Sequence, residues 1–162
     1  MSIREIGVLF VCTGNICRSP TAHGVMQTLL KEQGLLPQIR VDSAGVSGYH
    51  VGERPDPRSQ SAAKNRGYDL SKLRARKLHE NDFSSFHYLI AMDRGHLQHM
   101  QKLFETDERE RLHLLMHFAP ELSKDDVADP YYGPVNGFER VLDDIEAGCR
   151  GLLQFIRQRH GI

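Results

Sequence analysis

The sequence predicts an α/β domain: a parallel four-stranded sheet with helices on both faces. Short apolar runs rich in branched residues alternate along the chain with longer segments whose apolar residues recur at helical spacing. That alternation is typical of a parallel sheet, because a helix usually carries the chain from one strand to the next. No internal repeat, low-complexity tract or linker divides the 162 residues, of which 40% are hydrophobic. One domain is therefore predicted over residues 1–162.

The first strand and the first helix have the clearest patterns. Ile6 to Val11 (IGVLFV) is short and almost wholly apolar, which favours a central strand covered on both faces. After a polar loop, a helix is predicted from Pro20 to Gln33, with Ser19 as its N-cap and Gly34 as its stop. The apolar positions of this helix are Ala22, Val25, Met26, Leu29 and Leu30.

The later elements continue the alternation. Strands are predicted at Gln38 to Ser43, His87 to Asp93 and Arg111 to Phe118, and helices at Pro57 to Arg66, Arg94 to Phe104 and Phe138 to Ile156. With right-handed crossovers, this order gives a flavodoxin-like arrangement rather than a barrel. In such sheets, ligands bind outside the carboxyl ends of the strands, where the loop after Val11, Ser43 and Asp93 are expected to lie.

The composition excludes several classes of partner. The 21 lysines and arginines balance 21 acidic residues, so no field draws the protein to nucleic acid or to a membrane. The N-terminus carries charge within its first five residues, unlike a signal peptide, and no segment approaches the ~18 apolar residues of a membrane span. We expect a cytoplasmic protein that binds neither nucleic acid nor membrane.

Cysteine and histidine usage favours neither a disulfide framework nor a metal site. The three cysteines lack the paired CxxC clusters of zinc sites, so reduced thiols are expected. His96 and His99, or His113 and His117, have spacings that a metal could use, but solvated helix or strand positions explain them more simply. We expect no metal.

The loop in FVCTGNICRSPTA (Phe10 to Ala22) carries the chemistry. A loop of small and polar residues between a strand and a helix can turn its N–H groups inward, and with the helix dipole these bind phosphate. The amides, the dipole and Arg18 would all favour the thiolate of Cys12, which is a nucleophile. The planar Arg18, six residues further on, can hold two phosphoryl oxygens and stabilise charge during phosphoryl transfer. From this spacing alone, a buried structural cysteine is the alternative.

Four sequence blocks together resemble one family. VCTGNICRSPTA is similar to the phosphate loop of the low-molecular-weight protein tyrosine phosphatases. VDSAGVSGYHVGERPDPRS (Val41 to Ser59), IAMDR (Ile90 to Arg94) and DPYYG (Asp129 to Gly133) resemble further blocks of that family, in its order. The resemblance implies a phosphotyrosine protein phosphatase I-like fold. It also implies a cofactor-independent hydrolase that cleaves phosphotyrosine and small aryl phosphates through a phosphocysteine intermediate.

By resemblance, each residue of the loop has a role. Cys12 is the nucleophile, Arg18 binds the phosphoryl oxygens, and Ser19 both caps the helix and donates a hydrogen bond to the thiolate. Asn15 and Ser43 are the pair that braces the loop, although an ordinary strand-end turn explains Ser43 nearly as well. The phosphate-binding residues are Thr13, Gly14, Asn15, Ile16, Cys17 and Arg18.

The leaving phenolate needs a proton, which an acid on a separate loop can supply before it activates water as a base. Asp129 is predicted as this third catalytic residue, because it matches the DP position of the family and Pro130 restricts its backbone. Asp125 and Asp126 are the nearby rivals, and a charge cluster of this kind is usually solvated surface.

Aromatic and branched residues are predicted to wall the substrate pocket. Tyr131 and Tyr132 are adjacent in a loop rich in proline and glycine, so at least one should be exposed and able to stack along a phenyl ring. Ile16 and Tyr49 match the other wall positions of the resembling family. A deep cleft of this kind admits phosphotyrosine and leaves phosphoserine too short to reach Cys12.

Two further expectations concern regulation and bracing. By resemblance, Cys17 forms a reversible disulfide with Cys12 that protects the thiolate, while plain packing is the alternative; Cys149 is expected to pack in the last helix. The chain also departs from the family: it reads SKLRAR, with Leu73 where many members carry a histidine, so the resemblance does not extend to the bracing that this histidine provides.

Three other functions stay open on this fold. An arginine phosphatase typically has threonine where this chain has Ile16, and an arsenate reductase needs further cysteines, of which residues 80–95 contain none. An inactive phosphopeptide-binding module would not need Cys12, Arg18 and Asp129 together. The expected partners are phosphotyrosine-containing proteins and a tyrosine kinase, and the expected state is a monomer or a weak dimer.

Overall fold

Four parallel strands form one sheet in the computed structural model, which describes residues 5–134 and 136–162. The strands are β1 (Ile6–Cys12), β2 (Ile39–Gly45), β3 (Tyr88–Ala91) and β4 (Leu112–Leu114), and the sheet order is β2-β1-β3-β4. β1 pairs with β2 along its whole length and with β3 from Val8 to Val11. Every residue of β1 is buried, as its continuous apolar run requires.

Helices cover both faces of the sheet. They are α1 (Arg18–Glu32), α2 (Pro57–Asn65), α3 (Asp82–Ser85), α4 (Arg94–Leu103) and α5 (Gly137–His160). Val8 and Phe10 point into a core that α1 and α5 close, whereas Leu9 and Val11 point into a second core that contains Met100 of α4. The predicted fold class is therefore confirmed.

Several predicted boundaries differ from the structure: β2 ends at Gly45 rather than Ser43, and α5 extends to His160 rather than Ile156. Two further differences concern the first helix and the fourth strand. Helix α1 begins at Arg18 with Cys17 at the cap position, and the cap makes no side-chain hydrogen bond, so Ser19 is not the N-cap. The fourth strand ends at Leu114 rather than Phe118, because the chain turns there into a 3₁₀ helix, Leu115–Phe118. Its first two side chains are buried beneath α5 in the core shared with α1.

Candidate active site

The phosphate loop, residues 13–17, joins the carboxyl end of β1 to the first turn of α1. Cys12 is the last residue of β1 and only 3% of it is exposed. Asn15 has a φ of 58°, a left-handed conformation that asparagine adopts more readily than most residues and that turns the loop sharply. The thiol therefore lies at the centre of the sheet edge, directly before a helix N-terminus.

Neighbouring segments hold the loop carbonyls away from its centre. Val46 N–H donates to Cys12 O, Ser47 N–H to Thr13 O, and Asp56 N–H to Ile16 O, at 2.8–2.9 Å. In a trans peptide the C=O and N–H groups point in opposite directions, so the amides that follow these carbonyls point the other way. This arrangement leaves N–H groups free to bind an oxyanion.

Gly45 allows the loop to pack this closely against β2. A Cβ atom at Gly45 would lie 2.8 Å from Thr13 O and 3.0 Å from Asn15 N. Both are backbone atoms of the loop, so any side chain at position 45 would displace the loop itself.

A chain of hydrogen bonds orients the hydroxyl of Ser19 toward the thiol. Arg76 N–H donates to Asn15 Oδ1 at 3.0 Å, and Asn15 Nδ2 donates to Ser19 Oγ at 2.8 Å. Ser19 Oγ lies 2.9 Å from Cys12 Sγ. Because the serine oxygen already accepts from Asn15, its own proton is available to the sulfur, and a donor at this distance stabilises a thiolate.

Ser43 lies near the end of β2 and contacts α1. Its hydroxyl lies 3.0 Å from His23 Nδ1 on that helix. Burial lowers the pKa of His23 to about 4, and this ring is neutral at pH 7. Leu73 stands where a histidine was expected, and the segment after it braces the loop through the backbone N–H of Arg76 instead.

Arg18 is buried and held from two sides. Its Nη1 donates to Asp93 Oδ2 at 2.8 Å and to Val127 O at 3.0 Å, and its Nη2 donates to Thr13 Oγ1 at 3.3 Å. Burial alone would raise the pKa of Asp93, but hydrogen bonds from the His96 N–H and from Arg18 hold that pKa below its usual value. The carboxylate therefore stays charged and fixes the guanidinium beside the loop.

Asp129 differs from its two acidic neighbours in where it points. Its Oδ2 lies 3.6 Å from Arg18 Nη2, and its Oδ1 accepts a hydrogen bond from Tyr131 N–H at 3.1 Å. Asp125 pairs with His117, and Asp126 pairs with Arg94. Of these three carboxylates, Asp129 lines the cavity above the phosphate loop.

The cavity has a volume of about 380 Å³ and a polar base beneath aromatic walls. Its lining contains the thiol, the guanidinium and every wall residue that the sequence predicted, namely Cys12, Arg18, Ile16, Tyr49, Tyr131 and Tyr132. Tyr132 is 92% exposed and Tyr49 85% exposed, so both stand at the mouth, whereas Tyr131 packs against the apolar cluster that contains Phe138.

Sequence reasoning missed two residues of the lining, Ser47 and His50. His50 contacts the loop: a Cβ at Gly14 would lie 2.9 Å from its ring, and the ring pairs with Glu53. In the sequence, the only indication that His50 lines the cavity was its position next to Tyr49 in the Gly-rich loop.

Cys17 is a free thiol in the same cavity wall. Burial raises its pKa to about 12, although a hydrogen bond with Ser59 opposes the rise. At neutral pH it is therefore protonated. Cys149 is fully buried in α5 and faces the carbonyl oxygen of Ala22, as the packing interpretation expects.

Within residues 5–134 and 136–162, no cluster of three or more His, Cys, Asp or Glu side chains is arranged to hold a metal ion. In the same part of the chain, no helix is long and apolar enough to cross a membrane.

Known proteins share both sequence and structure with this chain. The family described as low molecular weight phosphotyrosine protein phosphatase matches residues 7–160. A low molecular weight protein-tyrosine-phosphatase of Streptomyces coelicolor is 39% identical over 155 residues, which is 94% of each protein. The crystal structure of YfkJ from Bacillus subtilis has a TM-score of 0.91 at 35% identity and covers 96% of both chains. A Drosophila arginine phosphatase has a TM-score of 0.85 at 29% identity, covering 93% of this chain and 97% of that one.

Proposed function

Because the chain belongs to the low molecular weight phosphotyrosine protein phosphatase family, we propose that it hydrolyses phosphotyrosine, and small aryl phosphates, through a phosphocysteine intermediate. One observation carries the proposal: the Cys12 thiol lies at the base of an aromatic-walled cavity that also contains Arg18 and Asp129. The depth of the sulfur below exposed Tyr49 and Tyr132 suits a phosphate carried on a phenyl ring.

In the first step, the Cys12 thiolate attacks phosphorus, so that the S–P bond forms while the bond to the phenolic oxygen breaks. Protonated Asp129 gives its proton to the departing oxygen, which leaves as a neutral phenol. The loop amides and Arg18 stabilise the charge that spreads over the equatorial oxygens.

In the second step, water attacks the phosphocysteine. Asp129, now a carboxylate, takes a proton from that water, the S–P bond breaks, and the sulfur leaves as a thiolate that Ser19 stabilises. Inorganic phosphate is released, and Asp129 is again protonated for the next cycle.

Phosphoarginine is the second candidate substrate. The specific observation in its favour is the likeness to the Drosophila arginine phosphatase across 93% of this chain. Ile16 argues for phosphotyrosine, because its apolar side chain lines the same cavity as Tyr131 and would lie against a phenyl ring. A guanidinium would lose hydrogen bonds to water against such a wall.

Turnover of matched peptides decides between these substrates. We expect kcat/KM for a phosphotyrosyl peptide to exceed that for phosphoseryl and phosphoarginyl peptides of the same sequence by about 100-fold or more, given the cost of leaving polar groups unpaired. Arsenate reduction with thiols present should be absent. A preference for phosphoarginine would overturn the substrate assignment while leaving the nucleophile in place.

Two substitutions test the mechanism. Cys12→Ser should lower kcat by a factor of about 10⁴ or more, because serine is far less readily ionised than cysteine. Asp129→Ala should lower kcat for phosphotyrosine about 10²–10³-fold but slow an aryl phosphate with a strongly acidic phenol much less, since that phenolate leaves without a proton. Asp125→Ala is the matched control, because Asp125 is exposed and pairs with His117. Full activity of Cys12→Ser would contradict the phosphocysteine route.

The place of action and the partners are part of the same proposal. From the family resemblance, we infer that the substrates are phosphotyrosine-containing proteins and that a tyrosine kinase opposes the enzyme. We place this activity in the cytoplasm, because the balanced charge provides no general attraction to a membrane surface. Enrichment of phosphotyrosyl proteins on the Cys12→Ser variant, compared with the double variant Cys12→Ser/Arg18→Ala, tests this.

A further inference from the structure

His96 lies directly behind the phosphate loop although no part of the mechanism above uses it. It is in the first turn of α4 and is 4% exposed. Its Nε2 lies 2.8 Å from Thr13 Oγ1 and 3.5 Å from Arg18 Nη2. Its Nδ1 is buried and has no aligned hydrogen-bond partner among the described residues, but it lies 3.2 Å from Asp93 Oδ1.

Charges on either side of the ring decide where its proton sits. A guanidinium can only donate, so a proton on Nε2 would point toward Arg18, whereas a bare Nε2 can accept there. On the other side, a bare Nδ1 would set a lone pair against the Asp93 carboxylate, whereas an N–H would be attracted to it. Both sides favour the neutral ring protonated at Nδ1.

With that tautomer, four side chains form a closed ring of contacts. Thr13 Oγ1–H donates to His96 Nε2, and Thr13 Oγ1 accepts from Arg18 Nη2. Arg18 Nη1 donates to Asp93 Oδ2, and Asp93 Oδ1 faces His96 Nδ1. The ring therefore fixes the rotamer of Thr13 and both terminal nitrogens of Arg18.

We propose that His96 is a positioning residue of this active site, which holds Thr13 and through it the Arg18 guanidinium in the orientation that binds the phosphoryl group. The proposal rests on the function proposed above. It adds a residue that touches neither the substrate nor the thiol.

The electrostatics around His96 are consistent with this role. Burial and the Arg18 guanidinium lower the pKa of His96 to about 4, while Asp93, Asp129 and Asp126 oppose that shift. At neutral pH the ring therefore keeps the bare nitrogen that Thr13 needs as an acceptor.

A double-mutant cycle tests the ring. Two measurements are made on His96→Leu, Thr13→Val and the double variant: the dissociation constant of inorganic phosphate, and kcat and KM for p-nitrophenyl phosphate. Each single change should lower kcat and weaken phosphate binding about tenfold, with a smaller change in KM, because Arg18 acts mainly in the transition state. The double variant should be no worse than the poorer single variant, since both changes break the same ring.

Further variants separate positioning from folding. His96→Gln retains an acceptor near the place of Nε2 and should recover most of the lost activity. His99→Leu, an exposed histidine on the same helix, is the matched control and should change neither readout. If His96→Leu fails to fold, His96→Ala, which also removes the acceptor, takes its place in the cycle.

The outcomes distinguish this proposal from the function on which it rests. If the losses in kcat and phosphate affinity multiply in the double variant, to about 100-fold, the proposed role of His96 is wrong. It is also wrong if the single variants match the wild type. A wild-type protein that binds phosphate but cleaves no aryl phosphate overturns the proposed function, and the phosphate affinities of the cycle then still decide the role of His96.

Discussion

Cys12 and Cys17 belong to one loop but lie in different chemical surroundings. Cys12 Sγ has a hydroxyl donor at 2.9 Å, whereas Cys17 is buried among Ala62 and Phe138 and its pKa is raised to about 12. A protonated thiol reacts far more slowly with an electrophile than a thiolate does. Proximity in sequence therefore does not make the two sulfurs equivalent, which supports the proposal that Cys12 is the nucleophile.

The predicted redox partnership between these cysteines can be tested at the residue scale. Peroxide converts the Cys12 thiolate to a sulfenic acid, and the Cys17 thiol can then form a disulfide with it and release water. We expect dithiothreitol to restore at least about half of the activity after brief peroxide treatment of the wild type, but little in Cys17→Ala. Cys149→Ala is the matched control, because that thiol is buried in α5. Equal recovery in Cys17→Ala and the wild type would contradict the partnership.

At the scale of the elements, α5 packs against the 3₁₀ helix after β4 through two glycines. A Cβ at Gly151 would lie 1.8 Å from the carbonyl oxygen of Phe118, and one at Gly148 would lie 2.6 Å from Cγ of Leu115. The first obstacle is backbone and the second is a side chain that can change rotamer. The close approach of the two elements thus depends on the absence of side chains at these positions.

Gly→Ala substitutions along α5 should follow that distinction. Gly151→Ala should lower the free energy of unfolding by about 3 kcal/mol or more, because backbone segments must move apart. Gly148→Ala should cost less, since the Leu115 side chain can repack. Among the described residues, a Cβ at Gly137 would meet only Pro130 Cβ, at 3.8 Å, so Gly137→Ala should be neutral or stabilising by up to about 1 kcal/mol.

Urea denaturation monitored by circular dichroism measures the free energies of unfolding of these three variants. Equal losses for Gly151→Ala and Gly137→Ala would show that the cost comes from helix propensity or the unfolded chain rather than from the contact with Phe118.

At the scale of the whole molecule, two buried histidines link stability to pH. The pKa values of His23 and His96 are both about 4 in the folded protein, against 6.5 for an ordinary histidine, mainly because of burial. Between these values the unfolded chain binds more protons than the folded one. The contribution of the two histidines to the free energy of unfolding is therefore fully present above about pH 6.5. It is lost as the pH drops toward 4, by up to roughly 1 kcal/mol per histidine per pH unit.

Unfolding free energies measured between pH 7 and pH 4 check this. The slope should decrease in His96→Gln, which cannot titrate, and should be unchanged in His99→Gln, whose ring is exposed. A stability that stays flat from pH 7 to pH 4 would mean that the buried rings are protonated in the folded protein.

The sequence predicted the elements better than the contacts between them. Apolar runs and helical spacing located β1, α1 and the closing helix, because burial leaves a local pattern. The end of β4 and the first residue of α1 were missed, since both depend on what packs nearby in space. His96 and Thr13 are 83 residues apart, and no local pattern joins two positions at that separation. The residues proposed as catalytic, by contrast, lie in motifs that can be recognised locally.

The distance along the chain between Arg18 and its acceptor also sets the order of events during synthesis. Val127, whose carbonyl receives a hydrogen bond from Arg18, lies 109 residues further on. On the ribosome, Cys12, the proposed nucleophile, is therefore synthesised early, but Arg18 cannot make all of its hydrogen bonds until most of the chain has emerged. Truncated translation products that end before Val127 should contain the whole phosphate loop but show no phosphatase activity.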